Sequence, residues 1–227
     1  MANKLLTGPA VEPVLVAEAK SHMRVDISDD DTLITGLLLA AKEHVEDITG
    51  CKCISQKWQL VLDRFTREEA TYTFFNRTFV PSVFDIAANH LTPDKTRIIR
   101  IPFAPLASVD KFEVTDQNGT TTEFAAASFI ADVVGIPGRI VLKEAYDWPY
   151  PAADLASANA VAISYTVGYG ASGASVPERI KLAIKMLASH WYENREAQSP
   201  LGLHEVPMGV RALLANFRVF DREEEPR

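Results

Sequence analysis

Only two of the 227 residues are cysteine. With one residue between them, Cys51 and Cys53 could pair only under strain, so no disulfide framework is available and a reducing compartment fits best. Cations are also scarce: 23 Lys and Arg stand against 30 Asp and Glu, a net charge of −7. That balance opposes wrapping around a phosphate backbone, which needs clustered Lys and Arg. Long apolar runs are missing as well, the longest being Leu37 to Ala41, far short of the ~20 residues that span a bilayer. Residues 1–9 contain no signal-peptide core before Gly8 and Pro9. The expectation is a soluble protein made and kept in the cytoplasm, for which the glycosylation patterns at Asn76 and Asn118 carry no consequence. What is present is 47% hydrophobic residues, enough to fill one large domain or two small ones and to exclude disorder and fibrous repeats.

The periodicities run helix, sheet, helix. Val16 to Met23 reads as a short helix. Ser28 and Asp29 to Asp31 offer an N-cap and first-turn acids for a second, in which Leu33, Ile34, Leu37, Leu38, Ala41, Val45 and Ile48 recur at helical spacing. Lys42, Glu43, Glu46 and Asp47 fall on its other side, and Gly50 ends it. From Ser55 the repeat becomes two, with Trp58, Leu60 and Leu62 alternating with Lys57, Gln59 and Asp63. Further strands are expected at 97–101, 109–115, 120–124, 128–134, 139–142 and 160–167, with Asn118-Gly119 as a primed hairpin turn. Helix returns after Pro177, where Ile180, Ala183, Ile184, Leu187, Ala188 and Trp191 share a face, and again over 210–217. The predicted class is α+β: a helical bundle from residues 1–54 and 175–218, an inserted antiparallel β-domain over 55–174, and a flexible acidic tail over 219–227.

Residues 65–96 form an excursion of about thirty residues, against the usual 2–6 of a connection. It carries Phe74, Phe75, Phe79 and Phe84. Two readings stay open: an extra hairpin packed on its own sheet, or an arm packed on a neighbouring subunit, since aromatics are enriched in interface cores.

Three constellations could carry chemistry. Gly168-Tyr169-Gly170-Ala171-Ser172-Gly173 matches G-x-G-x-x-G, and a nucleotide-binding protein or enzyme using this loop is the alternative reading. Against it, Pro177 places the helix start beyond Gly173, and no second strand supplies a ribose-binding acid. His44, Cys51 and Cys53 lack a fourth ligand and the usual thiol spacing of a structural zinc site. No G-x-S-x-G elbow exists. No catalytic residue, metal or cofactor is expected. The cluster His190 to Glu196 places Tyr192, Glu193 and Arg195 on faces open to ion pairs or a partner.

The segments Leu15 to Asp26, Ala40 to Glu46 with Thr49-Gly50, Trp58 to Asp63, Ile101 to Val109, Pro137 to Ile140 and Val167 to Gly170 form an ordered set. Val176 to Lys181, His190 to Glu196 and Val206-Pro207 complete it. Together they resemble the head-tail connector proteins of tailed bacteriophages, also called adaptor or head-completion proteins. The resemblance implies a non-enzymatic structural protein of the virion's head-tail interface, assembled in the host cytoplasm. Its copies would form a ring, dodecameric by family analogy, that binds the portal protein, extends the DNA channel and offers a docking surface to a stopper or tail terminator protein. Genomic DNA would pass without specific binding, and no membrane is involved. By the same analogy the C-terminal segment reaches the portal, with Phe217, Val219 and Phe220 as anchors and Arg218 and Arg222 as polar partners. A plain helix end with a frayed tail is the competing reading. Phe74, Phe75, Phe79, Phe84, Tyr192, Glu193 and Arg195 are candidates for subunit or tail contacts.

Overall fold

A computed structural model describes residues 2–63, 65, 72–74, 77–79, 97–146, 155–194 and 208–219. The fold is α+β. Helices α1 (Val16–Met23), α2 (Asp31–Thr49), α3 (Glu178–Glu193) and α4 (Met208–Leu214) come from the two ends of the chain. They share one apolar core that includes Ile34, Leu38, Ala41, Val45, Ile180, Ile184, Leu187, Val210 and Leu214. Each fully buried aliphatic side chain contributes roughly 1.5–3 kcal/mol by leaving water, so this core binds the chain's two ends together.

The strands are β1 (Ala2–Thr7), β2 (Gln56–Leu62), β3 (Tyr72–Phe74), β4 (Arg77–Phe79), β5 (Ile98–Arg100), β6 (Leu106–Thr115), β7 (Thr121–Glu123), β8 (Phe129–Asp132), β9 (Arg139–Leu142) and β10 (Val161–Val167). An antiparallel sheet runs β1-β2-β10-β6-β7, a second runs β5-β9-β8, and β3-β4 form a hairpin. Leu60, Ile99, Phe112, Ile140, Ile163 and Tyr165 from the two larger sheets, with Ile101 just after β5, fill a second apolar core. On β10 the alternation is complete: Val161, Ile163, Tyr165 and Val167 are buried, while Ala162, Ser164 and Thr166 on the opposite face are not. Among the described residues, no helix is long and apolar enough to cross a membrane.

Four sequence expectations need correction. Residues 2–7 belong to the sheet, not to the helical part. All six are exposed, so β1 is held by pairing with β2, which leaves no periodic burial signal to read. The acids before α2 do not cap it through their side chains. The Asp30 carboxylate accepts from the Tyr192 hydroxyl at 2.5 Å and Asp31 from Lys20 Nζ at 2.7 Å, so both are committed to other helices. Lys42 and Glu46, assigned to the polar face of α2, are 5% and 6% exposed. Lys42 pairs with Glu12 at 2.8 Å and Glu46 with Lys52 at 3.0 Å. Finally, the β6–β7 turn is not primed. Positive φ occurs at Gly119 and not at Asn118. The Asp116 carboxylate accepts the N–H groups of Asn118 and Thr120 at 2.9 and 2.8 Å and sets the turn in place of Asn118.

Candidate interaction surfaces

The C-terminal segment is built on α4. Val210 and Leu214, four residues apart and wholly buried, pin this helix to the core, and a 3₁₀ turn over Ala215–Phe217 then carries the chain outward. Phe217 is half-buried against the helical core, and its carbonyl accepts the Cys51 thiol at 3.4 Å. The Val219 N–H donates to the Thr49 carbonyl at 2.8 Å. Its side chain lies over Gly50, where an added Cβ would come within 3.3 Å of it. Phe217 and Val219 therefore clasp the segment to the C-terminus of α2, while Arg218 is exposed. Phe220 and Arg222 lie outside the described residues.

At the end of α3, Trp191 continues the buried stripe and meets His44 edge-on at 6.0 Å between ring centroids. Tyr192 is half-buried and ties this end of α3 to Asp30 at the start of α2. Glu193 is exposed, and Arg195 lies outside the described residues. Of the excursion, the backbone of β3 and β4 is described: a hairpin in which Tyr72 is in register with Phe79 and Phe74 with Arg77. Phe75 and Phe84 lie outside the described residues.

The glycine loop joins β10 to α3 across the seam between helices and sheet, and its own chain fills it. A Cβ on Gly168, which has φ +127°, would lie 2.6 Å from the Ile54 carbonyl carbon and oxygen. The Gly168 amide donates to the Pro105 carbonyl at 3.0 Å and the Tyr169 amide to the Cys53 carbonyl at 3.3 Å. Ser55 in turn donates to the Gly170 carbonyl at 2.9 Å. A phosphate cradle needs such amides free. Gly168 and Gly173 instead admit the close approach of the Ile54 and Pro13 backbones, and the helix begins at Glu178, beyond the loop.

The same seam holds a charged pair that the sequence pattern does not reveal, Glu46 with Lys52, capped by the rings of Trp58 and Phe103. Cys51 and Cys53 are both free and buried there. Burial pushes both thiols up, and for Cys53 the negative charge of Glu46 adds to the effect. Among the described residues, no group of three or more His, Cys, Asp or Glu is placed to hold a metal ion.

The candidate surfaces are thus segments of an α+β body. The model of the Phage gp6-like head-tail connector protein family matches residues 14–79 and 153–218, so the chain belongs to that family of virion proteins. Similar solved structures carry the fold over almost the whole chain. A chain in "Virion of native gene transfer agent (GTA) particle" is 22% identical with a TM-score of 0.69, and one in "Neck of native GTA particle computed with C12 symmetry" is 22% identical with a TM-score of 0.67. A chain in "Neck of empty GTA particle computed with C6 symmetry" is 23% identical with a TM-score of 0.66. Each alignment covers 97% of this chain and 96% of the other. No curated protein matches this chain in sequence.

Proposed function

We propose that this protein is a structural component of the neck of a tailed-phage-like particle. Its copies form a ring that binds the portal, continues the DNA channel and presents a docking surface to a stopper or tail terminator. The carrying observation is the family match over residues 14–79 and 153–218, which hold all four helices of the shared core together with strands β2, β3, β4 and β10. The likeness to chains of GTA neck particles computed with six- and twelvefold symmetry supports a ring. The net charge of −7 supports a passage role, since a surface poor in clustered cations lets DNA move without being held.

Phe217, Arg218, Val219, Phe220 and Arg222 are the proposed portal side of the molecule. Phe217 and Val219 are clasped to α2 and Cys51. Phe220 and Arg222 then become the segment's reaching contacts.

The test is co-sedimentation and electron microscopy of the protein mixed with its portal. A ring seated on the portal is expected. Removal of residues 220–227 should leave the melting temperature unchanged and weaken co-sedimentation. Undiminished co-sedimentation of that truncation would reject the C-terminal assignment. Absence of any portal association by the intact chain would reject the connector reading.

A further inference from the structure

Among the described residues, the five-stranded sheet ends in two strands with one neighbour each, β1 and β7. All six residues of β1 and all three of β7 are exposed. Such an edge is a template for another strand, because half of its main-chain groups point away from the sheet. Hydrogen bonds within the sheet fix which residues those are. The Phe124 amide donates to the Phe112 carbonyl at 2.7 Å and the Asp116 amide to the Thr120 carbonyl at 3.0 Å. Successive residues of an antiparallel ladder turn to opposite sides, so on β7 Thr121 and Glu123 turn their N–H and C=O away from β6. On the other side of β6, the Thr115 amide donates to the Ala160 carbonyl at 2.7 Å. The register carries this alternation across β10 and β2 to β1. There Ala2 and Lys4 turn toward β2, and Asn3 and Leu5 turn outward.

The two edges differ in charge. Lys4 follows the register through Gln59 and Ser164 to Lys111, two residues from Glu113, and Glu113 is in register with Glu123. Lys4 and Glu123 therefore share one face of the sheet, the one opposite the apolar core. Lys111 is bound to Glu113 at 2.6 Å and also attracts Glu123. One ammonium thus serves two carboxylates, and the β7 edge keeps a surplus negative charge. At the other edge, β2 contains no acidic residue, so Lys4 has no carboxylate across the ladder.

We propose that β7 of one copy and β1 of the next join as neighbouring parallel strands, so that the sheet continues from subunit to subunit. The proposal rests on the ring reading above. Four antiparallel steps separate β1 from β7, so the two run in the same direction, and copies turned only slightly from one another in a ring keep it. One parallel register engages all four outward residues. In it the Asn3 amide donates to the Thr121 carbonyl, the Glu123 amide to the Asn3 carbonyl and the Leu5 amide to the Glu123 carbonyl. That register sets Lys4 directly opposite Glu123, and Leu5 beside Phe124, which packs on the sheet core. Backbone and charge select the same alignment independently. No shaped pocket is required, since free strand edges meet at about 4.8 Å whatever their side chains. Pairing of β1 with its own copy is disfavoured, because the antiparallel register that engages Asn3 with Leu5 sets Lys4 against Lys4. Two unlike edges make a head-to-tail contact, the kind that closes a ring. So short a ladder does not hold two free copies together, and it persists when each copy is engaged on both sides and on the portal.

Charge reversal tests this on rings assembled on the portal. Lys4→Glu and Glu123→Lys should each keep the wild-type melting temperature and lose about tenfold or more in ring occupancy. The double variant Lys4→Glu/Glu123→Lys restores an opposite pair and should recover it. Wild-type occupancy in both single variants, or a double variant no better than either, would overturn the pairing. A second readout leaves the ion pair intact. Asn3→Cys/Thr122→Cys places thiols at positions in register across the joint, while the native Cys51 and Cys53 are buried. Under mild oxidation, portal-bound rings of this variant should give a ladder of covalent multimers that neither single variant gives. Rings that assemble without cross-linking would overturn the contact and leave the ring reading standing. Wild-type protein that forms no ring would overturn the ring reading and the contact with it.

Discussion

Lys52 donates to Glu46 Oε2 at 3.0 Å, with the two side chains only 11% and 7% exposed, and this pair sits where α2 hands the chain to the sheet. The other carboxylate oxygen of Glu46 accepts the Cys53 N–H at 2.9 Å. The Lys52 ammonium lies 4.7 Å from the Phe103 ring centroid and 5.4 Å from that of Trp58. Two charges taken out of water are tolerable only when each finds partners of this kind.

Removing one member should therefore cost more than removing both. Lys52→Met leaves a buried carboxylate without its cation, and a loss of about 3–5 kcal/mol is expected. Glu46→Gln retains an acceptor for the Cys53 N–H but strands the ammonium, with a loss of similar size. The double variant should lose less than either single variant. Urea denaturation of all four proteins measures the coupling, and additive losses would show that the pair does not act as a unit.

Gly168 should be the least replaceable glycine in the described part of the seam. Alanine there meets the Ile54 backbone at 2.6 Å and must hold φ near +127°. Backbone cannot yield as a flexible side chain does, so Gly168→Ala is expected to lose at least 3 kcal/mol, combining overpacking with the left-handed penalty. Gly119→Ala provides the contrast. Its φ is +81° but the space around it is open, so about 1 kcal/mol is expected. Thermal denaturation ranks the two, and equal losses would contradict the close-approach role.

Tyr165 is fully buried, and its hydroxyl has no hydrogen-bond partner among the described residues. Tyr165→Phe should raise stability by about 1 kcal/mol, because it removes an unsatisfied polar group while keeping the ring. The same burial sets a pH response. It raises the pKa of Cys51 and Cys53 above 9.0, and of Tyr165 and Tyr169 above 10.0. The unfolded chain thus loses these protons first. Their stabilisation is complete below about pH 9 and declines as pH rises beyond it. Melting temperatures from pH 7 to 11 should fall above pH 9, and above pH 10 the fall should be shallower for Tyr165→Phe. A flat profile through pH 11 would contradict buried, protonated groups.

Much of this architecture is legible in the residues because periodicity is a local property. The α1 and β9 boundaries coincide with the expected 16–23 and 139–142, and Gly50 ends α2 in a left-handed conformation. In each case neighbours along the chain carry the signal: a repeat near 3.6 or of two, a glycine, a proline. The β1 strand carries none, since all its residues are exposed and its partner β2 is some fifty residues away. The clasp formed by Phe217 and Val219 is hidden for the same reason. It depends on Cys51 and Thr49, distant in sequence, and the residue types alone fit an anchor for a partner equally well.

The sequence by itself determined that this is an acidic α+β chain, with helical repeats before and after a stretch of two-residue repeats. The hydrophobic repeat of a segment dictates which face leaves water whatever it packs against. Tertiary structure alone decided that Glu46 and Lys52 are buried together and that Gly168 lies against the Ile54 backbone. Those outcomes depend on which distant segments meet, and a charge, a glycine or a valine acquires its role only from what stands opposite it.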